Sequence, residues 1–381
     1  MKLATKNYLR GISLMIGMII GVGLFGVPFV IAKSGALIGL GYFLILSVII
    51  IFNHLIYGET ILRTKGQHRL AGLANIYLGK WWKRLSVVAS TLGFYAVIIA
   101  YIILGGAFLH ILLSPFFGGA VIVYQIAFFA IMAAIILIGL RTILFSEFLM
   151  TGALLLVIIF ITAVAGVKIN FSNFLNVNVG EFFTPYGVIL FSITGAAAVP
   201  EVLEIMSRDK RGAKSVIFWG SFIPILLIAL FAFVVVGVTG AATTKDAIAG
   251  LGTVFGNWIL YVGAFFGLFA VATSFLPLAL YAKKQFHLDF KVNGFLSWAL
   301  ACLVPFAIFL FGTKDFITII SFSGAVFSGF EAFLVIWIYS RARRLGERKP
   351  EYSVRLPLAF LALMGVMFIL GMIYEVSSFF R

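Results

Sequence analysis

The chain has 381 residues, of which 63% are hydrophobic and 11% charged, with 28 Lys and Arg against 13 Asp and Glu for a net charge of +15. A water-facing surface needs roughly 25% charged residues, so this composition excludes a soluble enzyme, a secreted disulfide scaffold and a disordered chain, and leaves a polytopic membrane protein. The basic excess belongs to loops rather than to a nucleic-acid face, because no soluble domain is present to carry a clustered basic surface.

The apolar runs, such as Ala120 to Leu140, are continuous and do not alternate, which predicts helices rather than the strands of a barrel. Lys2, Lys6 and Arg10 precede the first run as in a signal peptide, but the run passes Pro28 and reaches Ala32. That is too long for a cleaved hydrophobic region, so it reads as the first span. Eleven spans are expected, at residues 9–31, 36–62, 85–113, 120–139, 143–167, 185–207, 215–240, 257–282, 293–312, 315–340 and 356–377. The lone Cys302 falls inside the ninth and allows neither a disulfide within the chain nor a Cys-rich metal site.

Lys and Arg collect in cytoplasmic loops. With eleven spans and the N-terminus inside, every Lys and Arg falls on the cytoplasmic side except Lys33, Lys168, Lys245, Lys314 and Arg381. The sequence therefore places the protein in the cell membrane with its C-terminus outside. Spans one to five and six to ten form two blocks of similar length, at 1–168 and 184–344, and the odd number of spans inverts the second block; the last span and tail, 355–381, lie outside the repeat. The first span of each block is interrupted, by Gly17, Gly21, Gly23, Gly26 and Pro28 in span one and by Gly187, Gly195 and Pro200 in span six. Matched interruptions in inverted halves point to a transporter's central site.

Three segments could carry that site. In GMIIGVGLFGVPF, Gly17 to Phe29, unwinding near Gly21 to Gly23 would aim backbone N–H groups and a helix N-terminus at a carboxylate; the GxxxG spacing of Gly17 and Gly21 also fits plain helix packing. In LFSITGAAAVPE, Leu190 to Glu201, unwinding around Ser192 to Gly195 would free carbonyls for an ammonium, and Gly195, Ala196, Ala197 and Ala198 would leave room; a proline kink is the plainer reading. In FAVATSF, Phe269 to Phe275, Thr273 and Ser274 are adjacent hydroxyls that either hold a cation or bond to their own backbone. A zwitterion bound by the first two describes an amino acid.

Acids in spans are costly. Glu59 with Arg63, Glu204 with Arg208 and Glu147 near Arg141 read as interfacial. Glu331 lies ten residues from Arg341, about 15 Å along a helix, and is either a proton carrier or gate, with His54 as a partner, or a neutral structural carboxyl.

GVGLFGVPFVIAKSGALIG (Gly21 to Gly39), GVILFSITGAAAVPEVLEIM (Gly187 to Met206) and FAVATSFLPLALYAKKQF resemble the first, sixth and eighth spans of the amino acid/auxin permease group of the amino acid-polyamine-organocation superfamily, close to its bacterial and archaeal aromatic amino acid permeases. The resemblance covers nearly the whole chain and implies an all-α, LeuT-type 5+5 inverted repeat plus one helix. By position it implies that Gly21, Val22 and Gly23 hold the substrate carboxylate, and that Phe191, Ser192 and Thr194, beside Gly195, surround the amino group and side chain. Gly17 and Ile20, with Ala270, Thr273 and Ser274, match the sodium site of sodium-coupled members; Tyr95 and Tyr101 are candidates for substrate contact. Thr194 stands where proton-coupled animal members carry an acid.

The reading is a secondary active transporter of neutral amino acids, large apolar or aromatic ones favoured, symported with a cation, sodium or a proton. It has no enzymatic activity and no cofactor; its partners are the amino acid and the lipid bilayer, with no nucleic acid. The alternatives are a proton-coupled carrier of small neutral amino acids and, from other classes, an amino-acid-sensing transceptor or a channel. A channel would need a continuous polar pore lining, and an enzyme a nucleophile, acid pair or metal cluster that four His and one Cys on distant segments do not supply.

Overall fold

The structure, a computed structural model, describes residues 2–138, 143–207, 210–289, 291–312 and 314–380. Arg141, Arg208 and Arg381, and the side chains of Lys2 and Glu147, lie outside the described residues. Among the described residues every regular element is helical. In chain order these are α1 (Lys2–Ile19), α2 (Gly23–Ser34), α3 (Ala36–Arg63), the short α4 (Leu70–Tyr77), α5 (Lys80–Phe117), α6 (Val121–Ile138), α7 (Ile143–Gly166), α8 (Thr184–Ile193) and α9 (Ala198–Ile205). The second half continues with α10 (Ala213–Thr239), the short α11 (Ile248–Phe255), α12 (Asn257–Asp289), α13 (Gly294–Phe311), α14 (Phe316–Phe322), α15 (Gly329–Leu345) and α16 (Leu358–Phe379). A π-helical stretch, Ser323–Ser328, joins α14 to α15 without a break.

Nine helical segments among the described residues are long and apolar enough to cross a membrane, and the bent pair α1 and α2 makes a tenth. The axis turns by 54° between them. α7 occupies the place expected of the fifth span. α5 starts at Lys80 and α12 runs to Asp289, so spans three and eight are longer than hydropathy alone indicates.

A helix that is apolar all round belongs inside a bundle. α2 and α8 have this character and are buried on nearly every face. They pack on each other, and α1 packs on α10 and α9. α5 packs on α12 and α6. The two interrupted segments are therefore central, while Leu44, Ile45, Val48, Leu363 and Leu370 of α3 and α16 face outward, as lipid contact requires.

The loops meet as the charge reading groups them. At one end Lys33 pairs with Glu181 at 2.9 Å, Lys168 donates to the Val254 carbonyl at 3.3 Å, and Lys245 pairs with Asp315. At the other, Arg69 pairs with Glu201 at 3.4 Å and the Glu347 N–H donates to the Arg63 carbonyl at 3.0 Å. The Lys65 N–H donates to Glu347 Oε2 at 3.2 Å.

Glu204 is exposed, whereas Glu59 makes the expected i to i+4 pair with Arg63 near the helix end and is fully buried within the protein. The segment after α15 folds back over α3. Glu59 accepts from Arg63 Nε at 2.8 Å and Nη2 at 2.7 Å, from the Val354 N–H at 2.6 Å and from Ser353 Oγ at 3.3 Å. The Tyr352 hydroxyl adds a bond to the Leu55 carbonyl at 2.9 Å.

Replacing Glu59 by Ala leaves the guanidinium and the Val354 amide unpaired, and the expected cost is about 3 kcal/mol. The melting temperature of detergent-purified Glu59→Ala should fall by several degrees. Glu204→Ala should change it little, since an exposed substitution stays within about 0.5 kcal/mol.

Candidate functional site

The break in span one occupies residues 20–22. α1 ends with the Ile20 N–H on the Ile16 carbonyl at 2.8 Å, and α2 opens with i to i+3 bonds from Leu24 to Gly21 and from Phe25 to Val22, both 3.2 Å. The last carbonyls of α1 and the first N–H groups of α2 are left without helical partners, and the N–H end carries the positive end of the helix dipole. Proline is not the cause: Pro28 sits inside α2.

The break in span six falls at residues 194–197, two residues later than the expected 192–195 and sharing Thr194 and Gly195 with it. Ser192 is still helical, its hydroxyl donating to the Val188 carbonyl at 2.6 Å. Thr194 turns to an extended conformation at φ −78° and ψ 132°, its hydroxyl donating to the Leu190 carbonyl at 2.7 Å.

The two breaks face each other at close range. A Cβ on Gly23 would lie 2.5 Å from Ser192 Oγ and 2.9 Å from both Phe191 Cδ1 and Ser192 Cα, so only glycine permits this approach. A Cβ on Gly195 would likewise run into Ile19. At Gly21 the nearest atom to such a Cβ is the Tyr101 hydroxyl, at 3.3 Å.

Between them lies a cavity of about 160 Å³. Gly21, Val22, Gly23, Tyr101, Phe191, Ser192, Thr194 and Gly195, the eight residues expected to contact substrate, all line it. Ala196 and Ala197 line it too; Ala198 is buried elsewhere, and Tyr95 does not reach it.

Of the lining from α5 the sequence singles out Tyr101 alone: Ser90, Gly93, Phe94, Val97 and Tyr101 repeat at helical spacing, one stripe of the helix about 16 Å long. The cavity is therefore elongated. It runs from the breaks toward Ser90, Leu278, Phe327 and Glu331, the direction in which α5, α12 and α15 reach their Lys- and Arg-bearing ends. Beyond the breaks on the other side, Phe25 packs edge-on against Phe108 and Phe231, with centroids 5.1 and 6.4 Å away.

Glu331 and His54 are not brought together. Glu331 lines the cavity with Ser90 Oγ 2.9 Å from its Oε1. His54 is fully buried; its Nε2 accepts the Gly195 N–H at 3.2 Å, and its Nδ1 lies 2.8 Å from Ser221 Oγ. Because Ser221 donates to the Ile217 carbonyl at 2.8 Å, Nδ1 carries the proton and His54 is neutral. The imidazole thus supplies the acceptor that the unwound segment lacks.

None of the five residues matched to a sodium site lines the cavity. Thr273 Oγ1 donates to the Ala270 carbonyl of its own helix at 2.9 Å. Ser274 is hydrogen-bonded to the Tyr101 hydroxyl, which in turn lies against Gly21 of the first break. Gly17 lies in the last turns of α1 and Ile20 in the break itself.

A family model described as the tryptophan/tyrosine permease family matches residues 4–376. The tyrosine-specific transport system 1 of Haemophilus influenzae is similar at 23% identity over 390 residues, covering 93% of this chain and 93% of that protein.

His54→Leu should leave the Gly195 N–H unpaired at a cost of about 1–3 kcal/mol. Hydrogen exchange of the peptide holding residues 193–197 should accelerate, with little change at α13. Unchanged exchange there would show that the imidazole does not hold the segment.

Proposed function

This chain belongs to the tryptophan/tyrosine permease family, and from that premise we propose that it is a secondary active transporter of aromatic amino acids, tyrosine and tryptophan foremost, symported with sodium by alternating access. The observation that carries this reading is the elongated cavity between two broken spans. Its one end offers unpaired N–H groups of α2 and the carbonyls at the breaks, and its length is lined by Phe94, Val97, Tyr101, Phe191 and Phe327. A substrate carboxylate would accept from the Gly21, Val22 and Gly23 amides, its ammonium would donate to break carbonyls, and its side chain would lie along the α5 stripe. A small amino acid would leave most of that stripe uncovered, which counts against the small-substrate alternative.

The same reading places eleven spans in a LeuT-type 5+5 inverted repeat with one added helix, in the cell membrane, with the N-terminus in the cytoplasm. It keeps the wider placement among amino acid-polyamine-organocation carriers. The cavity then extends toward the cytoplasm, and the Phe25, Phe108 and Phe231 cluster is the outer closure. Coupling would use oxygens of Thr273 and Ser274 with carbonyls of Gly17, Ile20 and Ala270, since a hard cation prefers oxygen ligands. Both hydroxyls retain lone pairs beside the bonds they make.

Uptake of labelled amino acids into proteoliposomes tests this, with sodium and pH gradients imposed separately. Tyrosine and tryptophan uptake should rise with inward sodium, and Thr273→Ala with Ser274→Ala should lose that dependence. Uptake that ignores sodium and follows pH rejects the sodium site. A panel in which Ala and Gly compete but aromatic amino acids do not rejects the substrate class.

In the same assay Gly23→Ala should lower tyrosine uptake by at least about tenfold, because its Cβ meets the Ser192 backbone. Gly21→Ala, which meets only the movable Tyr101 hydroxyl, should retain most of it. The bulkier Gly21→Leu should abolish uptake while the protein still inserts.

A further inference from the structure

Resting on the aromatic-substrate reading, we infer that Glu331, held by Ser90, forms a subsite for the hydrogen-bond donor on the substrate's ring, the phenol O–H of tyrosine or the indole N–H of tryptophan. The carboxyl lies in the first turn of α15, directly after the π-helical stretch, and lines the cavity with Ser90, Phe94, Leu278 and Phe327. This is the far end of the α5 stripe from Tyr101 and the two breaks. With the α-carboxylate and ammonium served at the breaks, the end of a long side chain would be the substrate group turned toward Glu331.

The chemistry of the Ser90–Glu331 contact leaves an acceptor free. Ser90 Oγ is 2.9 Å from Glu331 Oε1 and 2.7 Å from the Ser86 carbonyl, and one hydroxyl proton serves only one of them. If Ser90 donates to Glu331, both carboxylate oxygens are acceptors. If Ser90 donates to Ser86, a protonated Oε1 donates to Ser90, and Oε2 is the carbonyl oxygen. With the proton absent or on Oε1, Oε2 accepts, and among the described residues it has no hydrogen-bond partner; a neutral carboxyl with its proton on Oε2 would donate instead, so the subsite requires one of the first two states. Tyrosine and tryptophan share a ring donor, tryptophan offers nothing else, and phenylalanine has none. Among Ser90, Ser328, Phe94, Leu278 and Phe327 at that end, the carboxyl oxygen is the strongest acceptor and is the group that would select the first two, because a ring without a donor leaves it unpaired.

Displacement of labelled tyrosine from purified full-length protein in detergent tests this without requiring turnover. In the wild type, phenylalanine and 1-methyltryptophan should displace at least about tenfold less well than tyrosine and tryptophan. Glu331→Leu should bring the tyrosine-to-phenylalanine ratio to about one, whereas Glu331→Gln, whose amide oxygen still accepts, should preserve it. Ser90→Ala should narrow the ratio by releasing the carboxyl, and serves if Glu331→Leu does not fold.

A uniform loss for all three amino acids in Glu331→Leu would assign the carboxyl to the shared ammonium and overturn the subsite, as would an unchanged ratio. A wild type that binds tyrosine and phenylalanine alike overturns the subsite and leaves aromatic transport standing. A wild type that binds none of the aromatics overturns both.

Discussion

The fold turns on the cost of interrupting a helix where no water is available. Each break strands N–H and C=O groups that hydrocarbon cannot satisfy, so irregular backbone at membrane depth survives only where protein covers it or a cavity receives it. Here the two breaks face one another and are covered except at Ala197, with Gly21 and Thr194 half-buried, and the helices leading from them, α2 and α8, are enclosed on nearly all sides. The stranded groups are distributed between neighbours and the cavity: the Gly195 N–H goes to His54, and the start of α2 faces the open space. His54 in turn depends on Ser221, so α3 and α10 are tied to the break in span six.

The parts legible in the sequence were those with a local signal. Run lengths of apolar residues located the helices, and clustered glycines located the first break, because glycine is where two backbones can approach. The cavity wall from α5 carried no such signal. A helix that is apolar all round has no polar face to indicate which stripe meets substrate, and Ser90, Phe94 and Val97 look like any other residues of α5.

Charge in the bilayer was legible in position but not in partner. Glu331 stood out because a carboxyl at that depth is expensive, yet its partner is Ser90 rather than His54, since sequence separation does not reveal which faces meet. For Glu59 the sequence shows one partner and hides the others. Its Arg63 partner is on the same helix, but the Val354 amide that completes its burial arrives from a segment nearly three hundred residues later. The break in span six lies later than 192–195 because the Thr194 N–H still bonds the Leu190 carbonyl at 3.1 Å, and the hydroxyls of Ser192 and Thr194, which could have faced a ligand, bond back to carbonyls of the same helix.

The same contacts divide the interrupted spans into halves with different attachments. α8 is joined closely to span ten: a Cβ on Gly187 would strike the Ser321 carbonyl, and one on Gly324 would strike the Gly187 carbonyl, so neither helix can slide without the other. The π-helical stretch that contains Gly324 is part of this contact, and an extra residue in a helical turn is what resets the face that α15 presents, Glu331 included. α9 and α1, on the other side of the breaks, pack on each other and on α10. A rotation of α1 and α9 relative to α2 and α8 would turn on residues 20–22 and 194–197, where the bonds at stake are the few i to i+3 bonds that open α2 and α9 rather than a full helical turn. The interruptions that supply groups to a ligand are thus also the positions where the bundle can hinge at least cost, and a ligand bridging both would act directly on that hinge.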